Sequence, residues 1–124
     1  MWKINCRPDE INYDIFSMMK KCGLYSAFWG IENGTNTGLM KMNKHMTISS
    51  TLQGIKILKD LEISFEYGLM PFHPYSDYNS IKQNFKFLRE ISCDGFTSAT
   101  FLKMMPFSST AIEIKLRKEG EIKR

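Results

Sequence analysis

Four apolar runs recur along the chain, and each is followed by a polar break and then by apolar residues at helical spacing. The runs begin near residues 2, 25, 63 and 97. Short runs with β-branched and aromatic members are typical of strands, whereas apolar residues three and four positions apart are typical of helices. Because parallel strands need a crossover between them, the alternation indicates an α/β fold. It predicts four consecutive βα units on a parallel sheet, which is half of a TIM-like (β/α) barrel.

The second run, residues 25–31, is predicted to be a strand buried on both faces. It stops abruptly at Glu32, Asn33 and Gly34. In α/β sheets and barrels, the carboxyl ends of parallel strands hold the ligand. We therefore expect Glu32 to face a ligand and the ends of the other strands to be arranged around it.

Capping residues predict where the helices begin. Asp9 or Asn12 is expected to cap the first helix, Thr47 the second long helix, and Ser76 or Asp77 the third. A short helical piece is predicted over residues 39–43, and a final helix over residues 111–119. Helical spacing predicts three apolar faces: Ile11, Ile15, Met18, Met19 and Cys22 on the first helix, Ile48, Leu52, Ile55, Leu58 and Leu61 on the second, and Ile81, Phe85, Leu88 and Ile91 on the third.

An open array of four units leaves two sheet edges and one sheet face without cover. That concave face is expected to carry aliphatic side chains, and apolar surface of this kind is normally covered. We expect residues 1–124 to form a single domain that is the C-terminal part of a truncated, larger barrel, or else to form a homodimer that covers the open sheet.

Composition and charge indicate which classes of partner and which cellular compartment are expected. The net charge is +4, but acidic and basic residues are interleaved, so nucleic acid is not expected as a partner. The three cysteines, Cys6, Cys22 and Cys93, form no CxxC pair, which is typical of reduced thiols in a cytoplasmic protein. The sequence shows no signal peptide and no apolar run of membrane-spanning length, so no membrane partner is expected.

Four motifs in order resemble the radical S-adenosylmethionine barrel. The run WKINCRPDEI, residues 2–11, resembles its third strand. The run Gly30-Ile31-Glu32-Asn33-Gly34, the sequel LMKMNK at residues 39–44, and Thr47 resemble its fourth strand and the start of the next helix. Residues 70–74, MPFHP, and 105–110, MPFSST, look like its fifth and sixth strand ends. The resemblance covers nearly all of the chain, and the nearest subgroup is the cobalamin-dependent one that includes the Mg-protoporphyrin oxidative cyclase.

The resemblance implies that the chain is a fragment of a radical S-adenosylmethionine oxidoreductase. In such a parent, a 4Fe–4S cluster cleaves S-adenosylmethionine to a 5′-deoxyadenosyl radical, which abstracts hydrogen from a small-molecule substrate. The CxxxCxxC loop that holds the cluster is absent from this sequence, as are the first two strands, and Ser109 stands where the family usually has glycine. We therefore expect the chain alone to be inactive and to carry neither cofactor.

The resemblance also implies cofactor-binding roles for Glu32, Lys44, Gly68, Met70 and Pro71. Glu32 would accept hydrogen bonds from the ribose, and its alternative role is that of a capping or ion-paired acid. Lys44 would meet the cofactor's carboxylate, and its alternative is a solvated lysine. Gly68, Met70 and Pro71 would lie against the adenine, and the alternative for Met70 is an ordinary core position.

Arg7 and His73 are expected to face substrate in the parent. Arg7 would hold an anionic group with paired hydrogen bonds, or else it pairs with Asp9 or Glu10. His73 would move a proton, or else it is a surface loop residue. Cys6 points to the same rim and is interpreted as a packing residue. No residue is assigned a catalytic or metal-binding role.

Two other interpretations remain. One is a non-catalytic module that binds a nucleotide at the rim, which the absence of a GxGxxG or P-loop motif disfavours. The other is a self-associating α/β module that performs no chemistry.

Overall fold

Four parallel strands form one sheet, and their order in the sheet is their order in the sequence. The computed structural model describes residues 1–92 and 97–122, and only the backbone of residues 97–103. The predicted four βα units are confirmed. In chain order the elements are β1 (Trp2–Cys6), a 3-10 turn (Pro8–Glu10), α1 (Tyr13–Lys21), β2 (Leu24–Glu32), α2 (Asn36–Lys41), α3 (Ile48–Asp60), β3 (Ser64–Phe72), α4 (Tyr78–Ile91), β4 (Thr97–Lys103) and α5 (Ala111–Lys118).

Side-chain caps start the long helices where the sequence predicts them. Asn12 accepts hydrogen bonds from the first turn of α1, Thr47 from that of α3 and Asp77 from that of α4. Asp77, and not Ser76, is therefore the cap of α4. Gly23 ends the turn after α1 with a φ of +94°, a conformation that glycine adopts without cost.

The core lies on the helix-covered side of the sheet. Trp29 and Phe65 stack there with their ring centroids 5.2 Å apart. The buried cluster consists of Phe16, Leu24, Ala27, Trp29, Ile31, Ile55, Leu58, Ile63, Phe65, Tyr67, Leu69, Phe87 and Ile91. The prediction that β2 is buried on both faces is wrong, because Tyr25 is 37% exposed and Phe28 is 38% exposed.

The opposite side of the sheet, which carries Lys3, Phe28, Glu66 and Gly68, is called here the open face. Lys3 Nζ lies 3.4 Å from Glu66 Oε1, so an ion pair spans three strands across it. Phe28 lies over Gly68. The expectation of an aliphatic concave face is therefore wrong for the described side chains, since charged, aromatic and glycine residues occupy it.

The predicted apolar face of α4 is confirmed at Ile91, which is buried, and at Leu88, which packs against the core, but not at Phe85. Phe85 is 42% exposed, whereas Phe87 is 5% exposed and Asn84 is fully buried. Phe87 packs so closely on Gly34 that a Cβ there would lie 2.7 Å from the Cβ of Phe87. Phe87 thus occupies the space that the missing side chain of Gly34 leaves, and Phe85, two positions earlier, faces solvent.

The predicted face of α1 is also only partly correct. Phe16 is the buried anchor of this helix, at 4% exposure, and it lies outside the predicted apolar face. Ile15 and Met18 are exposed, and Met19 packs at the edge of the core. On α3 the predicted stripe is confirmed, with Ile55 and Leu58 buried at its centre.

Within the described ranges, no helix is both long enough and apolar enough to span a bilayer.

Candidate functional site

The carboxyl end of β2 is a tight turn centred on Glu32. The Asn33 amide donates to the Ile31 carbonyl at 2.8 Å, and the φ of Glu32 is +68°. A hydrogen bond that closes three residues around a positive φ is the rarer, strained form of γ-turn. A side chain in this region costs about 1–3 kcal/mol, and such strain is concentrated at binding and catalytic sites.

The Glu32 carboxylate lies on the open face, next to Lys44. Lys44 Nζ is 3.2 Å from Glu32 Oε1, and the side chains are 36% and 19% exposed. The carboxylate folds back along the strand over Gly30. The structure therefore brings two of the predicted cofactor residues together. The ion-paired state of Glu32, its alternative role, is present in the same geometry.

Two buried asparagines hold the loop after Glu32. Asn33 Oδ1 accepts hydrogen bonds from the backbone and hydroxyl of Thr35, and Thr35 caps α2 at Gly38. Asn84 Oδ1 on α4 accepts the Gly34 amide at 2.6 Å. This network explains why α2 begins at residue 36 rather than at 39 as predicted.

A turn at the end of α2 delivers Lys44 to the rim. Asn43 has a φ of +55°, and the Lys44 amide donates to the Leu39 carbonyl at 2.9 Å. Asparagine tolerates this left-handed position, which reverses the chain at a helix end. The reversal places the Lys44 side chain beside Glu32.

At the end of β3, the predicted cofactor residues divide between the two sides of the sheet. Gly68 is the register partner of Gly30, and Met70 follows it on the same side by strand alternation. Pro71 is buried on the helix-covered side, and its carbonyl accepts the Ser76 hydroxyl at 2.9 Å. Gly68 and Met70 thus share the open face with Glu32, whereas Pro71 shapes the turn behind it.

Arg7 is already engaged at the end of β1. Its Nε and Nη2 donate to the two carboxylate oxygens of Asp9 at 3.0 and 2.9 Å. This fork of hydrogen bonds lowers the pKa of Asp9. The alternative pairing expected for Arg7 is therefore present, and a substrate anion would compete with Asp9 for the guanidinium.

His73 is buried, at 9% exposure, so the surface-loop alternative is wrong. Its Nδ1 accepts the Tyr75 amide at 3.3 Å, and Nε2 has no hydrogen-bond partner among the described residues. Burial lowers the pKa of His73, as does the nearby Lys41, while Asp77 opposes the shift. Its ring borders cavities lined by α2, α4 and α5, which places it on the helix-covered side and not on the side that carries Glu32.

Two cavities adjoin His73, and neither is the rim at Glu32. One, of 160 Å³, lies against the first turns of α2 and α4, and the other, of 430 Å³, lies against α5. A larger depression of 1020 Å³ runs along α4, which contributes all of its described lining. We take the rim as the candidate site because Glu32 at the end of β2 and Met70 near the end of β3 share one side of the sheet there, beside the ion pair with Lys44.

The two described cysteines serve packing or face solvent. Cys6 packs against the core, and burial raises its pKa to about 11, with a smaller contribution from Glu10. Cys22 is exposed, and Cys93 lies outside the described residues. Across residues 1–92 and 97–122, no three His, Cys, Asp or Glu side chains come together as metal ligands would.

Sequence reasoning missed Gly30 and the asparagine network. The signal for Gly30 was its position two residues before Glu32, which places both residues on one side of the strand. No periodic signal marks Asn84, because a polar residue on a helix is normally assigned to the solvent side.

Solved structures share this fold. No model of a known protein family matches the sequence, and no curated protein sequence does. Elp3 of the archaeon Methanocaldococcus infernus, with an N-terminal deletion, is 24% identical with a TM-score of 0.76, and the match covers 98% of this chain and 28% of that one. The apo form of the cobalamin-dependent S-adenosylmethionine radical enzyme OxsB is 15% identical with a TM-score of 0.77, covering 95% of this chain and 23% of that one. OxsB with aqua-cobalamin and S-adenosylmethionine bound is 17% identical with a TM-score of 0.67, covering 96% and 18%.

At these identities the likeness shows the fold alone. The chain spans less than a third of the length of these proteins. Its four βα units therefore form a partial (β/α) barrel.

Proposed function

We propose that this chain is the later part of a radical S-adenosylmethionine barrel and that the rim at Glu32 contributes to the site for that cofactor. The partial barrel and its likeness to cobalamin-dependent OxsB support the class. The residue roles rest on the geometry of the rim and on the resemblance of its motifs.

One observation carries the proposal: Glu32 is a strained, partly buried carboxylate on the open face at a strand end. An ionised carboxylate only accepts hydrogen bonds, which suits the two hydroxyls of a ribose. Lys44 beside it has three hydrogen-bond donors, so its ammonium can stay paired with Glu32 and also donate to a ligand carboxylate. The pair thus presents an acceptor and a donor to one ligand.

Phe28 covers Gly68 on the open face, so an adenine ring would lie beside that side chain. Among the described side chains, a Cβ at Gly68 would meet Phe28 Cζ at 3.8 Å. In the proposal, adenine lies against Gly68 and Met70, and the buried Pro71 fixes the backbone behind them. Arg7 faces substrate once an anion displaces Asp9. We leave His73 out of this group because its ring lies on the other side of the strand.

The described residues do not fit an iron–sulfur cluster, since no set of metal ligands comes together among them. When S-adenosylmethionine is bound in the parent, it supplies the hydrogen-abstracting chemistry. This chain would hold and orient the cofactor and form part of the substrate wall. We expect the chain alone to be inactive in the parent's reaction.

The test is a titration of the ¹⁵N-labelled chain with S-adenosylhomocysteine, followed by NMR. We expect a Kd weaker than about 1 mM, because part of the site is missing, with shifts confined to Glu32, Lys44, Gly68 and their neighbours. Glu32→Gln should weaken binding about fivefold, as expected for the loss of a charged acceptor. The matched control Glu90→Gln, on the exposed side of α4, should bind like the wild type. Shifts centred elsewhere, or equal affinity for Glu32→Gln, would contradict the proposal.

A second candidate is a self-associating module, favoured by two exposed aromatic side chains on the open face. Phe28 is 38% exposed and Phe72 is 49% exposed. We propose that, without other strands, a second copy of this chain covers that face. Sedimentation over a hundredfold range of concentration should show a dimer that Phe28→Ser weakens. A folded monomer at every concentration would eliminate this candidate, and micromolar ligand binding would instead support a stand-alone nucleotide module.

A further inference from the structure

We infer that Gly30 is the positioning residue for Glu32: the space left by its missing side chain is where the Glu32 carboxylate lies. The inference rests on the proposed function only in treating Glu32 as the group that meets a ligand. The geometry of the pair stands without any ligand.

The distances leave no room for a side chain at position 30. A Cβ on Gly30 would lie 2.6 Å from Glu32 Oε1 and 3.3 Å from its Cδ. A Cβ atom essentially never lies within 3.0 Å of such a neighbour, so any other residue would displace the carboxylate. Lys44 meets that same Oε1 atom, so the displacement would also break the ion pair.

Gly30 is not required for backbone conformation. The positive-φ glycines among the described residues are Gly23 and Gly120, so the φ of Gly30 lies in the range open to other residues. The strained φ belongs to Glu32, two residues later. Position 30 therefore needs glycine for space on the open face.

Gly68 is a matched control built into the sheet. It is the register partner of Gly30 on the adjacent strand, and its φ is likewise ordinary. Among the described side chains, a Cβ there would make an ordinary contact with Phe28 alone. Comparing Gly30→Ala with Gly68→Ala separates displacement of the Glu32 carboxylate from the general effect of adding a methyl group to the sheet.

The clash at Gly30 is with the far end of a flexible side chain, so it should not destabilise the fold. Glu32 can swing out by changing its side-chain torsions. Alanine at a position with ordinary φ also restricts the unfolded chain, which favours folding slightly. Gly30→Ala should therefore melt at the wild-type temperature or slightly above it, while the Glu32–Lys44 pair is lost.

The experiment measures how fast Lys44 is acetylated by an N-hydroxysuccinimide ester, read by mass spectrometry with Lys56 as internal reference. Freed from Glu32, Lys44 should react about two- to fivefold faster in Gly30→Ala, as it should in Glu32→Gln. The double variant should add nothing further, and Gly68→Ala should match the wild type.

Three outcomes would overturn the inference. They are an unchanged Lys44 rate in Gly30→Ala, an equal rise in Gly68→Ala, or a Gly30→Ala chain that does not fold, since a flexible carboxylate cannot cause that failure. Because the readout uses no ligand, failure of S-adenosylhomocysteine binding leaves it intact and counts against the proposed function alone.

Discussion

Gly38→Ala should destabilise the chain through a single close contact inside the loop that follows β2. Gly38 lies in α2, where alanine normally favours the helix by about 1 kcal/mol. Here a Cβ would lie 2.1 Å from Asn33 Oδ1 and 2.3 Å from Asn33 Cγ. Asn33 is fully buried, so its amide cannot move into solvent without opening the loop.

The magnitude follows from the hydrogen bonds that the displaced amide gives up. Asn33 Oδ1 accepts from the Thr35 amide at 3.0 Å and from its hydroxyl at 2.8 Å. A buried polar group that loses its partner costs about 1–3 kcal/mol. Two such losses cost about 2–6 kcal/mol, so after the gain of about 1 kcal/mol in helix propensity we expect a net loss of about 1–5 kcal/mol in unfolding free energy. For a domain of this size, that lowers Tm by roughly 4–20 °C.

Urea unfolding followed by the fluorescence of the buried Trp29 measures this loss. The adjacent, exposed Thr37→Ala is the control and should stay within about 0.5 kcal/mol of the wild type. In an Asn33→Ala background, Gly38→Ala should cost about 1 kcal/mol or less, because the clashing amide is gone. A loss below about 0.5 kcal/mol in the wild-type background, or an undiminished loss in the Asn33→Ala background, would refute the reasoning.

Three further predictions follow from single residues. Ser109 has a φ of +67°, so Ser109→Gly should raise the urea midpoint by the equivalent of about 1 kcal/mol, and an unchanged midpoint would show that the residue is unstrained. Iodoacetamide at pH 8 should modify the exposed Cys22 well before Cys6, whose pKa is raised to about 11. Mass spectrometry of the two peptides measures the order of modification, and modification of Cys6 first would contradict the prediction. The pKa of Asp9 is lowered, mainly by its hydrogen bond from Arg7. The ionised Asp9 therefore stabilises the fold above pH 3.8, the ordinary pKa, and this stabilisation is lost as the pH falls through the lower pKa of the folded state. Asp9→Asn should therefore be less stable than the wild type at pH 6, by under about 1 kcal/mol, and the two unfolding curves should converge in acid; a constant difference down to pH 2 would count against the pairing.

Strand and helix order could be predicted because it depends on local pattern. Apolar runs and capping residues such as Thr47 and Asp77 act within a few positions of the chain. The burial of Phe87 and the exposure of Phe85 on α4 could not be predicted in this way. Phe87 is buried instead of Phe85 because Gly34, on a distant loop, has no side chain. The spacing of apolar residues within one helix carries no information about space left by a glycine on another element.

The candidate site shows the same division. The position of Glu32 at a strand end follows from the sequence, since polar residues that terminate an apolar run lie at the rim. Its partner Lys44 depends on the left-handed turn at Asn43, which the sequence hints at only through the choice of asparagine. The burial of His73 was missed because its two flanking prolines favour an exposed loop. In the fold the residue continues the inward alternation of β3.

The sequential order of the strands has a consequence for how the chain assembles. Each strand pairs with a segment 22 to 38 residues further along, so no contact between strands requires the two ends of the molecule to meet. Because the entropic cost of closing a loop grows only slowly with its length, the three pairings have similar closure costs. The sequential strand order leaves β1 and β4 at the two edges of the sheet. A further βα unit could therefore pair with either edge without changing the existing strand pairs.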